Sequence, residues 1–151
     1  MGLIRYSRSG QIISSGRKGM IMQLSEKDRT KLQGAHPDLV KVIHRAAELT
    51  TIDFAVLEVL RTLGRQRELV AKGASKTMKS RHLAGKDGLS RAVDLAPKDG
   101  GQISWSWPLY HKLAAVIKQA AAEVGVPIEW GGDWRTFKDG PHWQLPWKQY
   151  P

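Results

Sequence analysis

The sequence predicts an α+β fold in which helices flank a small antiparallel sheet. Segments with helical spacing of apolar residues are interspersed with short runs of β-branched and apolar residues, without the regular βαβ alternation of a parallel sheet. The chain has 151 residues, enough for one domain that buries about two thirds of its unfolded surface. It has no cysteine, so disulfides, thiolate ligands and thiol nucleophiles are excluded.

The first 21 residues differ in composition from the rest. They are rich in Ser, Gly, Arg and Lys, contain no acidic residue and show no convincing periodicity. We expect residues 1–21 to be a basic, flexible N-terminal extension and residues 22–151 to form the folded domain. Ile12 and Ile13 are the only part of the extension that suggests a short strand.

The first half of the domain contains three helix signals and one strand signal. Ser25 is a candidate N-cap, Pro37 suits the first position of a helix, and Gly73 suits a C-cap. A run rich in β-branched and apolar residues between the second and third helices predicts a strand that ends at Arg61. The expected elements are helices over residues 25–34, 37–47 and about 65–72, and a strand over residues 52–60.

The second half of the domain contains the longest helix signal. This helix is expected to begin at Pro108 and end at Gly125. A short strand before it is expected to end at Pro97, because proline cannot donate a ladder hydrogen bond. The expected strands cover residues 91–95, 128–130 and 142–145.

The charge balance restricts the classes of partner. With 24 Lys and Arg against 14 Asp and Glu, the formal net charge is +10. This favours a polyanionic partner or simply a solvated surface. No nucleic-acid-binding motif accompanies the charge, so we expect no nucleic-acid partner. No apolar run is long enough to span a bilayer, and no export signal is recognisable.

Two histidines and two aspartates stand out as candidate site residues. His82 and Asp94 lie around a glycine-containing loop, and Asp139 precedes His142 by three residues. On a strand, Asp94 would face a cleft while its neighbours Val93 and Leu95 face the core. Two imidazoles and one carboxylate can hold a zinc ion with an open position, and a spare carboxylate can act as a base. The pattern indicates a metal-dependent hydrolase.

The segments around these residues carry a family resemblance. SRHLAG, RAVDLAP and EWGGDWRTFKDGPHWQL resemble the phage-type L-alanyl-D-glutamate endopeptidases, relatives of the VanY and VanX zinc D-Ala-D-Ala peptidases. The resemblance covers about residues 24–145. It implies the zinc-peptidase (VanY/hedgehog-like) architecture.

The resemblance also implies roles for individual residues. In this family the matching positions bind Zn²⁺, which implies His82, Asp94 and His142 as ligands, and the position of Asp139 is that of the catalytic base. Arg61 matches an arginine that stabilises the tetrahedral intermediate; its alternative is a surface ion pair.

The interval between the first two ligands departs from the family pattern. His82 and Asp94 are twelve residues apart, and the family commonly has fewer. The simplest alignment treats residues 86–90, KDGLS, as a loop insertion, which is thermodynamically tolerable. Asp87, within this insertion, is a rival ligand without the sequence context of Asp94.

Three further residues are candidates for substrate contact. All six tryptophans fall in the final third of the chain, and Trp105 and Trp107 lie in a loop rather than a strand. Ser80 precedes His82 by two residues and can hydrogen-bond the substrate or shape the turn.

The expected function is a zinc endopeptidase that cleaves the L-Ala-D-Glu bond of the peptidoglycan stem, acting as a phage or prophage endolysin. We expect a monomer that binds peptidoglycan, and anionic envelope polymers through its positive charge. It would remain in the host cytoplasm until a holin-type pore releases it to the periplasm and cell wall. The alternatives are a D-Ala-D-Ala carboxypeptidase or dipeptidase, and a non-catalytic basic cell-wall-binding or nucleic-acid-binding protein.

Overall fold

The computed structural model describes residues 22–151 and, in the N-terminal segment, the backbone of two short strands. These strands, β1 (Ile4–Tyr6) and β2 (Ile12–Ser14), pair in antiparallel fashion. The remainder of residues 1–21 lies outside the described residues, so the expected flexibility of the extension stays a prediction. The same holds for the division of the chain at residue 21.

Four helices are present in the described part of the chain, as the sequence predicts. Ser25 caps the first helix by accepting a hydrogen bond from the backbone N of Asp28 at 3.0 Å. Gly125 ends the longest helix in the left-handed conformation, with φ 72°. Among the residues described, no helix combines the length and apolar character needed to cross a bilayer. The helices are α1 (Glu26–Leu32), α2 (Pro37–Leu49), α3 (Leu63–Ala71) and α4 (Trp107–Val124).

The domain's strands form one antiparallel sheet with the order β3-β4-β7-β6, and β5 pairs with the far end of β4. This arrangement confirms the predicted α+β class. The central position of β4 matters for function, because residues on β3 and β7 are placed on either side of it. The strands are β3 (Phe54–Glu58), β4 (Ala92–Asp99), β5 (Gln102–Ile103), β6 (Glu129–Trp130) and β7 (His142–Gln144).

Strand β4 is longer than predicted, because Pro97 lies within it rather than closing it. Pro97 is the register partner of Phe54, but the neighbouring Lys98 donates its backbone N–H to Asp53 O at 2.7 Å. The hydrogen bonds between β4 and β3 therefore do not need the N–H group that Pro97 lacks. Its carbonyl accepts a hydrogen bond from Ser104 N instead. The expectation that proline ends this strand was wrong.

One face of the sheet packs into the hydrophobic core, and the proposed ligands lie on the other. Val93 and Leu95 of β4 are fully buried, and they belong to the same core as Ile43 of α2 and Ile117 of α4. Because side chains alternate along a strand, the intervening Asp94 leaves the opposite face. Burial of the flanking apolar residues thus fixes the direction of the Asp94 carboxylate.

Candidate metal centre and its cleft

Asp94 of β4 and His142 of β7 are register partners on adjacent antiparallel strands, so their side chains leave the same face of the sheet. Asp94 Oδ1 lies 3.3 Å from His142 Nδ1 and 3.1 Å from Nε2 of His82. One potential ligand atom from each of the three residues lies within 4.8 Å of the other two. The structure therefore brings together the three side chains that the sequence suggested as ligands.

The loop that carries His82 is held by backbone hydrogen bonds. Arg61 N donates to His82 O at 2.9 Å, and His82 N donates to Ser80 Oγ at 3.2 Å. Beyond His82, Gly85 N donates to Leu89 O at 2.9 Å, which closes residues 85–89 into a compact turn. The long interval between His82 and Asp94 is thus taken up by a surface turn, and both residues reach the same point.

Hydrogen bonds on the far side of each imidazole select its tautomer. Nδ1 of His82 lies 2.8 Å from the carbonyl O of Val59, which can only accept, so this nitrogen carries the hydrogen. Nε2 of His142 lies 2.8 Å from Oε1 of Gln144, whose amide Nε2 donates to Glu129 Oε2 at 3.0 Å. In the neutral rings, His82 Nε2 and His142 Nδ1 are left with lone pairs directed at Asp94.

The resulting donor set requires a positive charge at its centre. Two nitrogen lone pairs and a carboxylate oxygen facing each other repel unless a cation or protons lie between them. When protons rather than a cation lie between these atoms, burial raises the pKa of Asp94, but hydrogen bonds from His142 and His82 outweigh it and hold the pKa below its usual range. Burial lowers the pKa of His142, yet the Asp94 carboxylate more than offsets this, so the pKa is raised. These residues fit a divalent cation.

Asp139 lies in the loop before β7 and lines the same cleft. Its backbone N donates to Gly131 O at 3.0 Å, and its carbonyl accepts from His142 N at 3.3 Å. A β-carbon on Gly131 would overlap the Asp139 carbonyl oxygen, so this close approach requires glycine. Burial, followed by the nearby charge of Asp94, raises the pKa of Asp139. Its carboxylate makes no hydrogen bond with any described residue.

Arg61 lies in the cleft and is also ion-paired. Its Nε and Nη2 donate to the two carboxylate oxygens of Glu58 at 2.7 and 2.9 Å. Its Nη1 donates to Gln66 Oε1 at 2.7 Å and to Ser80 Oγ at 3.4 Å. Arg61 therefore forms an ion pair and lines the cleft at the same time, so the two alternatives do not exclude each other. Its role in the reaction stays a prediction.

The cleft has a volume of about 600 Å³, and its aromatic lining differs from the one expected. Trp134, Phe137 and Trp147 line it, whereas Trp105 and Trp107 are not among its lining residues. Trp107 packs instead against Trp130 and His111 at the start of α4, and Trp105 is 64% exposed. Contact of Trp105 and Trp107 with substrate stays a prediction, but it would occur outside this cleft.

Asp87, the rival ligand, is not part of the metal-binding group. Its carboxylate pairs with the Arg91 guanidinium at 2.6 Å and is 40% exposed. Arg91, and secondarily the backbone N–H of Leu89, lowers the pKa of Asp87 to about 2. Asp87 therefore stabilises the surface turn between the two ligands.

Several residues that contact the proposed site residues or line the cleft were missed from the sequence. Gln144 follows His142 by two residues on a strand, so alternation alone could have placed it on the same face. Gln66 and Phe137 carried no such signal. The fully buried Gln66 meets Arg61 only through folding of α3, and Phe137 reaches the cleft from an irregular loop.

Two phage peptidases are similar to this chain in sequence. An L-alanyl-D-glutamate peptidase of Escherichia phage T5 is 29% identical over 124 residues, 80% of this chain and 87% of that protein. An L-alanyl-D-glutamate peptidase of Listeria phage A118 is 34% identical over 104 residues, 69% of this chain, which spans 34% of that longer protein.

A solved structure is also similar over most of the domain. The crystal structure of the Serratia marcescens L-Ala D-Glu endopeptidase ChiX matches with a TM-score of 0.79 and 41% sequence identity, covering 87% of this chain and 95% of that one. The family model described as phage L-alanyl-D-glutamate peptidase matches residues 20–144. The chain belongs to the phage L-alanyl-D-glutamate peptidase family.

Proposed function

We infer that this chain is a peptidase that hydrolyses the L-Ala-D-Glu bond in the peptide stem of bacterial peptidoglycan, acting as an endolysin in host cell lysis. One observation carries the inference: His82, Asp94 and His142 place ligand atoms within 4.8 Å of one another in a cleft that also contains Asp139. Membership of the family supports the choice of bond.

We propose Zn²⁺ as the cofactor, held by His82 Nε2, Asp94 Oδ1 and His142 Nδ1. Two imidazoles and one carboxylate, without a fourth ligand among the residues that the structure describes, are typical of a catalytic zinc site with an open position. When bound, such an ion polarises the scissile carbonyl and makes water a stronger acid. Val59 O and Gln144 keep the two imidazoles in the tautomers that ligation needs.

Asp139 is proposed as the general base. Its carboxylate lies in the cleft and makes no hydrogen bond with the described residues, so it is free to accept a proton from the attacking water. It would then deliver that proton to the amine nitrogen of D-Glu as the bond to L-Ala breaks. Burial favours this transfer, because it keeps the carboxylate poorly solvated.

Arg61 and Ser80 are proposed to contact the substrate at the scissile bond. The Arg61 guanidinium is held rigidly by Glu58 and Gln66, so its positive charge is preorganised for negative charge that develops on the carbonyl oxygen. Ser80 Oγ already accepts from His82 N, and its hydroxyl hydrogen remains available. Trp105 and Trp107 would contact a more distant part of the polymer.

The remaining proposals concern location and partners. We propose that the protein acts as a monomer on the wall after release from the host cytoplasm through a holin-type pore. Its net charge of +10 would favour association with anionic envelope polymers. We propose no nucleic-acid partner.

Mass spectrometry of purified muropeptides digested with the protein tests the function. Fragments that begin at D-Glu, matched by fragments that end at L-Ala, are expected, and a chelator or the substitution His82→Ala should abolish them. Release of free D-Ala instead would favour a D,D-carboxypeptidase. Wall binding with no product from the metal-loaded protein would favour a non-catalytic binder. Elemental analysis of the active protein would identify the metal.

A further inference from the structure

Five cationic side chains line the cleft, and among the described residues only two of them have no polar partner. Arg61 is paired with Glu58, Arg65 with Glu68, and Arg81 donates to the carbonyl O of Leu145. In the part of the chain that the structure describes, no carboxylate lies within 4.0 Å of the other two. The five are Arg61, Arg65, Lys76, Lys79 and Arg81.

The backbone on either side of Lys76 is held in place by a buried glutamine. Gln66 is fully buried, and its Nε2 donates to Ser75 Oγ at 2.9 Å and to Thr77 O at 2.6 Å, on either side of Lys76. The Oε1 atom of the same glutamine accepts from Arg61 Nη1 at 2.7 Å. The backbone of Lys76 is therefore fixed relative to the arginine of the proposed active site.

The side chain of Lys76 contacts another residue of the cleft lining. Its ammonium nitrogen lies 5.1 Å from the centroid of the Phe137 ring. Phe137 is 71% exposed and has φ 53°, a left-handed conformation that is strained for a bulky residue. Such strain is retained mainly at ligand-binding and catalytic positions. Phe137 precedes Asp139 by two residues, so the Lys76 ammonium lies beside the loop that carries the proposed base.

The substrate of the proposed function carries a free anion next to the scissile bond. In the peptidoglycan stem, D-Glu is linked onward through its γ-carboxyl group, so its α-carboxylate is free. This carboxylate is attached to the same carbon as the scissile nitrogen. A cleft cation without a carboxylate partner is suited to pair with this substrate carboxylate, in addition to the cation proposed at the metal centre.

We propose that Lys76 is a specificity-determining residue that binds the free α-carboxylate of D-Glu, an inference that rests on the proposed function. Arg61 is poorly suited to this task, because four of its five N–H groups already donate to Glu58, Gln66 and Ser80. Lys79 also lines the cleft, but no contact among the described residues directs its ammonium towards the Asp139 loop. In the absence of substrate, the Lys76 ammonium is positioned by its contact with the Phe137 ring.

The test compares two synthetic peptides: L-Ala-γ-D-Glu-L-Lys and its α-amide, in which D-isoglutamine replaces D-Glu. For the acid, Lys76→Met should raise KM by about tenfold, with kcat within about twofold of the wild type, because the contact is equal in ground and transition states. KM for the amide should not change. The preference of the wild type for the acid should therefore disappear in the variant.

Two matched variants make the result specific. Lys112→Met removes an exposed positive charge of α4 outside the cleft and should leave both KM values unchanged. An equal rise in KM for both peptides in Lys76→Met would overturn the proposal, as would loss of acid preference in Lys79→Met alone. If the wild-type protein cleaves both peptides without preference, Lys76 loses its assigned role and the proposed function stands. If the wild-type protein cleaves neither peptide, both the role of Lys76 and the proposed function are contradicted.

Discussion

Gln144 accepts a hydrogen bond from Nε2 of His142 at 2.8 Å, and this bond leaves His142 Nδ1, the atom that faces Asp94, without a hydrogen. The glutamine is itself oriented by donation to Glu129 Oε2. The tautomer of a proposed metal ligand is thus set from outside the metal centre, by a residue on the same strand.

Replacing this glutamine should weaken metal binding without removing a ligand. We expect Gln144→Leu to lower the affinity for Zn²⁺ by about 10- to 100-fold, because His142 loses the bond that fixes its tautomer and ring orientation. Competition with a chromophoric chelator measures the affinity. Gln119→Leu, on the exposed surface of α4, should not change it. Equal affinities for wild type and Gln144→Leu would show that the hydrogen bond has no bearing on the metal.

The choice between Asp94 and Asp87 can be tested by metal-linked stability. At about a hundredfold excess of metal over the dissociation constant, binding stabilises the folded state by about 2.7 kcal/mol. For a domain of this size, the corresponding rise in Tm is about 5–10 °C. Asp94→Asn should abolish the rise measured by thermal unfolding, and Asp87→Asn should retain it. The opposite pattern would make Asp87 the ligand.

Asp139 should be separable from metal binding. Asp139→Asn is expected to lower kcat by at least about 100-fold, since a neutral amide cannot take a proton from water. The rise in Tm on adding metal should remain, because the side chain is not one of the three ligands. Asp133→Asn serves as the control. It removes an exposed carboxylate six residues before Asp139, which is paired with Lys118 of α4. Wild-type turnover in Asp139→Asn would remove it from the mechanism.

Gly131 holds the Asp139 loop in place by allowing close approach. Gly131→Ala should destabilise the fold by about 1–3 kcal/mol and lower kcat, because the added methyl group displaces the Asp139 backbone. Gly64→Ala is the matched control: its β-carbon meets nothing within 4 Å and lies in helix α3. It should stabilise the protein by about 0.5–1 kcal/mol. Urea unfolding gives both values, and equal effects of the two substitutions would contradict the packing argument.

The ion pair in the surface turn should appear in the titration of Asp87. With a folded pKa of about 2, below the value of about 3.9 in an unfolded chain, the ionised form is favoured by folding. Its contribution to stability is present above about pH 4 and is lost as the pH falls through 2. Carboxyl NMR should give a midpoint near 2 in the wild type and a higher one in Arg91→Met. A wild-type midpoint near 3.9 would mean that the pair does not form in solution.

Much of the fold, and the face of β4 from which Asp94 leaves, followed from local patterns. Alternation along β4 placed Val93 and Leu95 in the core and therefore Asp94 on the opposite face. Proline and glycine marked the ends of α4 within one residue. These features depend on neighbours in sequence, which is why they could be predicted.

The features that escaped prediction depend on tertiary context. Pro97 is tolerated inside β4 only because the ladder to β3 uses the residues on either side of it. Whether an aromatic residue lines the cleft depends on how two distant loops approach each other, and Phe137 and Trp147 do so while Trp105 does not. Gln66 likewise bonds Arg61 before α3 and residues 75 and 77 after it, so its burial depends on how these segments meet.

Anomalous diffraction at the zinc absorption edge, on crystals of the protein grown with Zn²⁺, tests the central claim most directly. We expect a single strong peak about 2.0–2.2 Å from His82 Nε2, Asp94 Oδ1 and His142 Nδ1. A zinc peak beside other side chains would contradict the claim, as would the absence of a peak at these three residues in a protein that cleaves muropeptides.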